Sequence, residues 1–135
     1  MDWLKTYHED HKAVLVLLAK FEGNILDLKA GLTTPNIFSE FEEFGDVITN
    51  VVIPHFKKEE TGVYKQIAEL NPEGKEFIQK MLEEHKALFS LFNLYVHAVE
   101  IKDTEKLIEI GNRFEQVLRH HIVQEEDEVP KFLRQ

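Results

Sequence analysis

The sequence contains the same short pattern twice, a histidine followed four residues later by a glutamate. The first copy joins His55 to Glu59, and the second joins His121 to Glu125. Residues four apart on an α-helix lie one turn apart on the same face, so each pair can direct an imidazole nitrogen and a carboxylate oxygen to one point. The pattern therefore predicts helices that bring paired ligands to a shared centre.

A second repeat places one further histidine before each of these pairs. The segment 9–14 is similar to the segment 83–88, with His11 and His85 in equivalent positions. The chain thus carries a histidine, a His-x-x-x-Glu pair, a second lone histidine and a second pair. The candidate metal ligands are His11, His55, Glu59, His85, His121 and Glu125.

Start and stop signals divide the chain into four long helices joined by short loops. Each helix follows a residue that can cap its first turn, and Gly31 ends the first helix near Ala30. Pro54 lies inside the second helix, directly before His55, and predicts a kink there. The predicted caps are Asp2, Thr34 before Pro35, Asn71 before Pro72, and Asp103. The later helices are predicted to end near Leu70, near Ile101 and before Pro130.

Apolar residues recur at helical spacing in each segment, and no segment alternates as a β-strand does. The sequence therefore predicts an all-α fold, an up-down-up-down four-helix bundle with antiparallel neighbours, as a single domain over residues 1–135. The four candidate histidines lie at nearly equal distances from the connecting loops. The mismatch is about two residues, or about 3 Å at the helical rise, so we expect all four to meet at one level.

The six candidate ligands occupy positions where the apolar pattern calls for buried residues. A buried ionisable group is costly unless it is paired or bound to a metal. The chain has no cysteine, and imidazoles with carboxylates suit Fe, Zn or Mn rather than soft ions. Six ligands are too many for one tetrahedral Zn²⁺, whereas two metals bridged by Glu59 and Glu125 use them all. A buried polar network without metal is the alternative, and it would have to satisfy all six groups.

Several other residues near the candidate ligands are predicted to be less involved. His8 lies one turn from His11 and can approach the site. Tyr64 lies within about two helical turns of Glu59, and nothing in the sequence requires it to act there. We expect His97 and His120 to face solvent. For Glu60 and Glu126, which follow the candidate ligand glutamates, we expect a solvent-facing position, with support of the ligands from behind as the alternative.

Charge and hydropathy exclude some function classes. The net charge is −9, with 25 acidic residues, so we expect no nucleic-acid partner, which would need a basic face. The longest apolar run, residues 13–19, is too short to span a bilayer. The first residues lack the basic and apolar regions of a secretion signal. We therefore expect a cytoplasmic protein without a membrane partner.

The order and spacing of the six ligands resemble those of a hemerythrin-like domain, also called an HHE cation-binding domain, over about the whole chain. The resemblance implies a bundle around an oxo- and carboxylate-bridged, non-haem di-iron centre that handles O2, NO or iron. Oxygen-carrying hemerythrins typically have another histidine where this chain has Phe89. They also end in His-x-x-x-x-Asp, whereas here the last pair is His-x-x-x-Glu.

The ligand set is more similar to that of the di-iron domain of repair-of-iron-centres proteins. That similarity implies that His11 and His121 hold one iron and that His55 and His85 hold the other. Glu59 and Glu125 would then bridge the two ions.

Three functions follow from these observations. The first is a di-iron-binding protein that interacts with O2, NO or peroxide, in sensing, iron handling or the response to oxidative or nitrosative stress. The second is an oxidase- or peroxidase-like enzyme, for which the sequence shows no clear acid–base group away from the metal. The third is a structural interaction module in which a metal such as Zn²⁺ holds the bundle together. We expect a metal- and ligand-binding protein rather than a dedicated enzyme, and the sequence indicates no particular protein partner.

Overall fold

The computed structural model describes residues 3–32 and 36–133, which form a helical bundle of four arms. The first arm is α1, the second is a broken helix made of α2, a π-helical segment, α3 and α4, and the third and fourth are α5 and α6. This architecture confirms the predicted all-α bundle. The elements are α1 (Trp3–Lys29), α2 (Ile37–Val47), the π-helical segment (Ile48–Val52), α3 (Ile53–Thr61), α4 (Val63–Leu70), α5 (Pro72–Glu100) and α6 (Thr104–Leu133).

The loop signals of the sequence account for the described helix ends. Gly31 follows α1 and adopts a φ of 76°, a conformation that favours glycine. The side chains of Asn71 and Asp103 each accept a hydrogen bond from the amide three residues later, at 2.7 and 3.1 Å. Both predicted caps are therefore confirmed. The predicted caps Asp2 and Thr34 lie outside the described residues.

The second arm is less regular than the sequence predicted. It passes through the π-helical segment Ile48–Val52 just before Pro54, and it breaks again at Gly62, between α3 and α4. Pro54 lies within the first two positions of α3, where its missing N–H costs little. The irregularity predicted near Pro54 thus takes the form of a widened turn directly before the first His-x-x-x-Glu pair.

The prediction that the last helix ends before Pro130 was wrong. α6 continues to Leu133 with Pro130 inside it, although an internal proline costs a helix about 3 kcal/mol. The residues beyond the proline are held by packing, since Phe132 and Leu133 contact an apolar cluster and the Phe132 ring stacks on Phe77 at 5.3 Å. Burial of these side chains opposes the cost of the proline.

Two apolar clusters fill the bundle, and the candidate ligands form a polar layer between them. The larger cluster includes Leu18, Phe44 and Phe114, and the smaller one includes Tyr64 and Met81. No helix within the described ranges is long and apolar enough to cross a membrane.

Candidate metal centre

All six predicted ligands lie buried at one level of the bundle. Their exposed fractions range from 0% for His121 to 7% for His55. The prediction from loop lengths, that the four histidines meet, is borne out by the distances between their ring nitrogens. α1, α3, α5 and α6 each supply one histidine, and α3 and α6 also supply the two glutamates one turn further along.

The histidines approach each other in two pairs through their Nε2 atoms. Nε2 of His11 lies 3.2 Å from Nε2 of His55, and Nε2 of His85 lies 3.0 Å from Nε2 of His121. This pairing differs from the one implied by the resemblance, which joined His11 to His121. Because all four residues share one level, their positions in the chain do not decide which neighbours pair.

Glu59 lies between the two histidine pairs. Its Oε2 atom is 3.4 Å from Nε2 of His55 and 3.6 Å from Nε2 of His11, while its Oε1 atom is 3.6 Å from Nε2 of His85. Two groups of donors with ion-binding spacing result, one of His11, His55 and Glu59, and one of Glu59, His85, His121 and Glu125. Glu59 alone belongs to both groups, which is the position of a bridging ligand.

Glu125 lies closer to the second histidine pair. Its Oε1 atom is 2.8 Å from Nε2 of His121 and 3.7 Å from Nε2 of His11. Its other carboxylate oxygen accepts a hydrogen bond of 2.9 Å from the hydroxyl of Tyr64. Glu125 therefore contacts the second group directly and reaches toward the first.

The donor spacing fits the coordination of metal ions. Two ligands bound to one ion at about 2.1 Å, at angles of 90–110°, lie roughly 3.0–3.4 Å apart, as the paired Nε2 atoms do. The Oε1 atoms of Glu59 and Glu125 are buried and form no hydrogen bond with any described residue. Buried carboxylate oxygens require compensation, and a cation at the centre of these donors would supply it.

Burial and mutual contact shift the pKa values of the two glutamates in opposite directions. Burial, and then Glu125, raise the pKa of Glu59 well above its usual value. Burial alone would also raise the pKa of Glu125, but contacts with Glu59 and His121 outweigh it and lower that pKa. The proximity of the two carboxylates thus favours the protonated form of Glu59 and the ionised form of Glu125.

The pKa values of the histidines are also shifted in opposite directions. Burial lowers the pKa of His55 despite the charge of Glu125 and a hydrogen bond to Asp10. Burial, together with the charge on His121, lowers the pKa of His85 to about 3. These two imidazoles are therefore neutral at neutral pH, which is the form that binds metals. Burial opposes protonation of His121 too, but the carboxylates of Glu125 and Glu84 outweigh it and raise the pKa of His121 to about 9.

The raised pKa of His121 predicts that the metal-free protein loses stability in mildly alkaline solution. A group with a raised folded-state pKa stabilises fully below its unfolded-state pKa, and that stabilisation disappears as the pH rises through the folded-state value. We expect the unfolding free energy to fall by about 3 kcal/mol between pH 6.5 and 9.5. Urea denaturation across this range measures it. His121→Gln should remove most of the slope, whereas His120→Gln, at the exposed neighbouring position, should keep it. A flat wild-type profile would contradict the prediction.

Sequence reasoning missed several carboxylates that lie behind the histidines. Glu84 and Asp10 accept hydrogen bonds from Nδ1 of His121 and His55, at 2.7 and 3.1 Å. Glu126 accepts one from Nδ1 of His11 at 2.8 Å, so the expectation that it faces solvent was wrong. A usable signal was present, because each of these residues adjoins a candidate ligand in the sequence.

The remaining neighbours behave mostly as predicted. His8 approaches the site through Glu126, with Nδ1 3.1 Å from the carboxylate, and its side chain is largely exposed. His97 and His120 are exposed, as expected. Glu60 is half-buried, and its carboxylate lies 3.7 Å from Nδ1 of His85, too far for a hydrogen bond.

Tyr64 contributes a hydroxyl that the sequence did not assign to the site. Besides its bond to Glu125, the hydroxyl oxygen lies 3.2 Å from Nε2 of His85 and 3.5 Å from Nε2 of His121. Burial, followed by the charge of Glu125, raises the pKa of Tyr64. The hydroxyl is therefore a neutral hydrogen-bond donor beside the second group of ligands.

Aromatic rings cover one side of the site, and cavities reach two of its histidines, a small one at His11 and one of about 280 Å³ lined in part by His55. The ring of Phe56 stacks on His85 with centroids 4.0 Å apart, and Phe89 packs edge-on against Phe56. A cavity of about 20 Å³, lined in part by His8 and Pro130, reaches His11 and both glutamates. That volume is roughly the size of one water-sized probe, so this cavity admits only very small molecules to His11 and the two glutamates.

Comparison with known proteins gives one match. A family model described as the hemerythrin HHE cation binding domain matches residues 2–133. The matched range includes all six candidate ligands and both apolar clusters. No curated protein and no solved structure matches the chain.

Proposed function

Because this chain belongs to the hemerythrin HHE cation-binding domain family, we propose that its buried cluster holds two non-haem iron ions. The observation that carries the proposal is the position of Glu59, which belongs to both groups of donors. A single ion would leave one histidine pair and one buried glutamate oxygen without a partner. Two ions bridged by Glu59 use the whole set, and carboxylate-bridged iron pairs are common in bundle cores.

The ligand roles follow from the distances between donors. His11 and His55 would hold one ion, and His85 and His121 would hold the other, because these pairs have the shortest Nε2–Nε2 distances. Glu59 and Glu125 would bridge, and their two negative charges would offset part of the charge of the ions. When bound, the iron pair would supply open positions for O2, NO or peroxide.

The protein around the cluster supports a role with small ligands. The cavity of about 20 Å³ that reaches His11 and both glutamates admits only small molecules. The ring of Phe56 covers His85 on the side away from Tyr64. The hydroxyl of Tyr64 can donate a hydrogen bond to a ligand near His85 and His121. We propose that the protein senses such ligands, handles iron, or acts in oxidative or nitrosative stress.

An oxidase- or peroxidase-like activity is the second candidate, and the position of Tyr64 favours it. The sequence showed no acid–base group near the metal ligands, but the Tyr64 hydroxyl lies within hydrogen-bond distance of both Glu125 and His85. Its raised pKa keeps the hydroxyl protonated, so Tyr64 can donate a hydrogen bond but gives up its proton less readily than an ordinary tyrosine. Steady-state turnover with peroxide would distinguish this enzyme from a protein that only binds the ligand.

Metal analysis with an absorption spectrum of the freshly purified protein tests the proposal. We expect about two irons per chain, as in other carboxylate-bridged bundle sites, and near-ultraviolet bands that change with azide, reductant or NO. Stoichiometric zinc that does not respond to oxidants would overturn the proposal and leave a structural module.

Tyr64→Phe is predicted to weaken the binding of small ligands without changing the metal content. One hydrogen bond contributes about 0.5–1.5 kcal/mol net, so we expect azide or NO affinity to fall roughly 3- to 10-fold. Tyr95→Phe is the matched control, because it removes another buried hydroxyl, one that donates to the carbonyl of Phe41 at 2.7 Å. Equal ligand affinity in the wild type and Tyr64→Phe would contradict the assigned role.

A further inference from the structure

Each arm of the bundle carries one carboxylate directly beside a candidate ligand in the sequence. None of the four faces the ligand next to it. Each is directed instead to the histidine of a neighbouring arm, on the side of the ring away from the metal centre. The four residues, which we call the outer carboxylates, are Asp10 on α1, Glu60 on α3, Glu84 on α5 and Glu126 on α6.

The contacts run around the bundle in one direction. Three of them are hydrogen bonds, whereas Glu60 only approaches His85, whose buried Nδ1 forms no hydrogen bond with a described residue. α6 supplies the carboxylate for the histidine of α1, α1 for that of α3, α3 for that of α5, and α5 for that of α6. The distances from carboxylate oxygen to Nδ1 around this cycle are 2.8 Å for Glu126 and His11, 3.1 Å for Asp10 and His55, 3.7 Å for Glu60 and His85, and 2.7 Å for Glu84 and His121.

We propose that the outer carboxylates position the metal-binding histidines across the arms, so that each arm fixes the ligand of the next. This inference rests on the proposed function, because it assumes that the histidines hold metal. It adds a dependence that the ligand set alone does not contain. The orientation of each metal-binding histidine would depend on the neighbouring arm that supplies its outer carboxylate.

The physical basis is the choice of tautomer. A carboxylate accepts a hydrogen bond, so an imidazole that faces it through Nδ1 carries its proton there. The Nε2 atom then presents its lone pair to the other side of the ring. In all four histidines Nε2 is the atom that points into the centre. Such outer partners orient the ligand and raise its basicity.

The four contacts differ in distance and in solvent exposure, so the proposal predicts an effect of different size for each outer carboxylate. Glu84 has the shortest contact and the least exposed side chain, at 20%. In the amide orientation that satisfies both of its polar atoms, Gln124 donates to the second Glu84 oxygen at 3.0 Å. Glu126 also contacts His8, and its side chain is 31% exposed, whereas that of Asp10 is 41% exposed. Glu60 is too far from His85 for a hydrogen bond, at 3.7 Å.

Alanine substitution is expected to reproduce this order in metal affinity. Loss of an outer partner typically costs 10- to 100-fold in affinity. We expect a loss near the upper end for Glu84→Ala, smaller losses for Glu126→Ala and Asp10→Ala, and the smallest for Glu60→Ala. Competition titration with Zn²⁺ measures the affinity. Glu84→Gln keeps an acceptor oxygen and should recover part of the loss, and Glu83→Ala, at the exposed neighbouring position, should bind as the wild type does.

Side-chain ¹⁵N–¹H spectra of the histidines test the direction of the contacts. In the metal-free protein and in the Zn²⁺-loaded protein, Glu84→Ala should shift or broaden the Nδ1–H signal of His121, on the neighbouring arm. The signal of His85, which adjoins position 84, should stay in place. Glu126→Ala should act in the same way on His11.

The outcomes separate this proposal from the proposed function. If the wild type binds metal but all four alanine variants bind as tightly as Glu83→Ala, the outer carboxylates are ordinary solvated acids and only the positioning role is wrong. If Glu84→Ala changes the signal of His85 instead of His121, the contacts across the arms are wrong. If the wild type binds no metal, the proposed function fails, and spectra of the metal-free protein at a pH above the His121 pKa of about 9 still decide whether the carboxylates fix the tautomers.

Discussion

Replacing Glu59 and Glu125 together by alanine is expected to abolish the binding of two metal ions while leaving the bundle folded. These two side chains are the only carboxylates within the described part of the chain that share ion-binding spacing with the buried histidines. Without them, each histidine pair offers two nitrogens and no negative charge, which is too little for a stable iron site. Metal analysis after dialysis measures the stoichiometry.

The two single variants should not be equivalent. Glu59 belongs to both groups of donors, whereas Glu125 belongs to the second group alone. Glu59→Ala should therefore lower the binding of both ions, and Glu125→Ala should mainly lower the binding of the ion held by His85 and His121. Two distinguishable steps in a titration with Fe²⁺ or Zn²⁺ would separate the two effects.

A matched control is available on α6. Glu115 is also buried, at 8% exposure, but its carboxylate pairs with the guanidinium of Arg119 at 2.6 Å. Glu115→Ala removes a buried carboxylate without touching the centre, and it should retain full metal content. Unchanged stoichiometry in the double variant of Glu59 and Glu125 would exclude both residues as ligands.

The metal-free double variant should have nearly the stability of the metal-free wild type, because it loses the contacts of Glu125 with His121 and Tyr64 but no longer buries two carboxylates. Burying ionisable groups costs several kcal/mol when they are imperfectly paired, and the Oε1 atoms of Glu59 and Glu125 form no hydrogen bond with described residues. Alanine removes that cost but leaves a small cavity, which opposes the gain. A stability within about 1–2 kcal/mol of the wild type is therefore expected.

Much of the architecture could be predicted because it depends on helix length and on the spacing of apolar residues, and both can be read from the sequence. Because the rise per residue of an α-helix is constant, the number of residues between each histidine and the loops at Gly31, Asn71 and Asp103 predicts its height in the bundle. These numbers are nearly equal, so the four histidines were expected at one level. The apolar repeat identifies the buried face of each helix, and the polar residues on that face are the candidate ligands. These arguments use local chemistry only, and the fold and the convergence of the site agree with them.

The details that escaped prediction depend on contacts between arms. The pairing of His11 with His55 joins residues of two different arms. The helix continues past Pro130 because Phe132 packs on another arm. The sequence assigns no role to Asp10 and Glu84, and it favours a solvent-facing position for Glu126, because each adjoins a ligand on its own helix while contacting a histidine on another. Sequence spacing along one helix carries no information about such partners.

Removing the metal is expected to lower the melting temperature by roughly 10–15 °C. The metal-free core must hold four imidazoles and two carboxylates at one level, with two Nε2 pairs only 3.0 and 3.2 Å apart. A ligand that binds only the folded state stabilises it by about 4 kcal/mol at a free concentration of 1,000 times its dissociation constant. For a chain of 135 residues, each kcal/mol shifts the melting temperature by about 3–4 °C.

Calorimetry on stripped and reloaded protein measures this difference, and the variants already described make it specific. Glu115→Ala should gain as much from reloading as the wild type, because its site is intact. The double variant of Glu59 and Glu125 should gain almost nothing, because the stabilisation requires a cation shared by the two groups of donors. Equal melting temperatures for the stripped and loaded wild type would mean that the buried layer is stable as a polar network, and the ions would then have no part in holding the bundle. If reloading raises the melting temperature of the double variant as much as that of the wild type, the stabilising cation binds elsewhere, on the acidic surface.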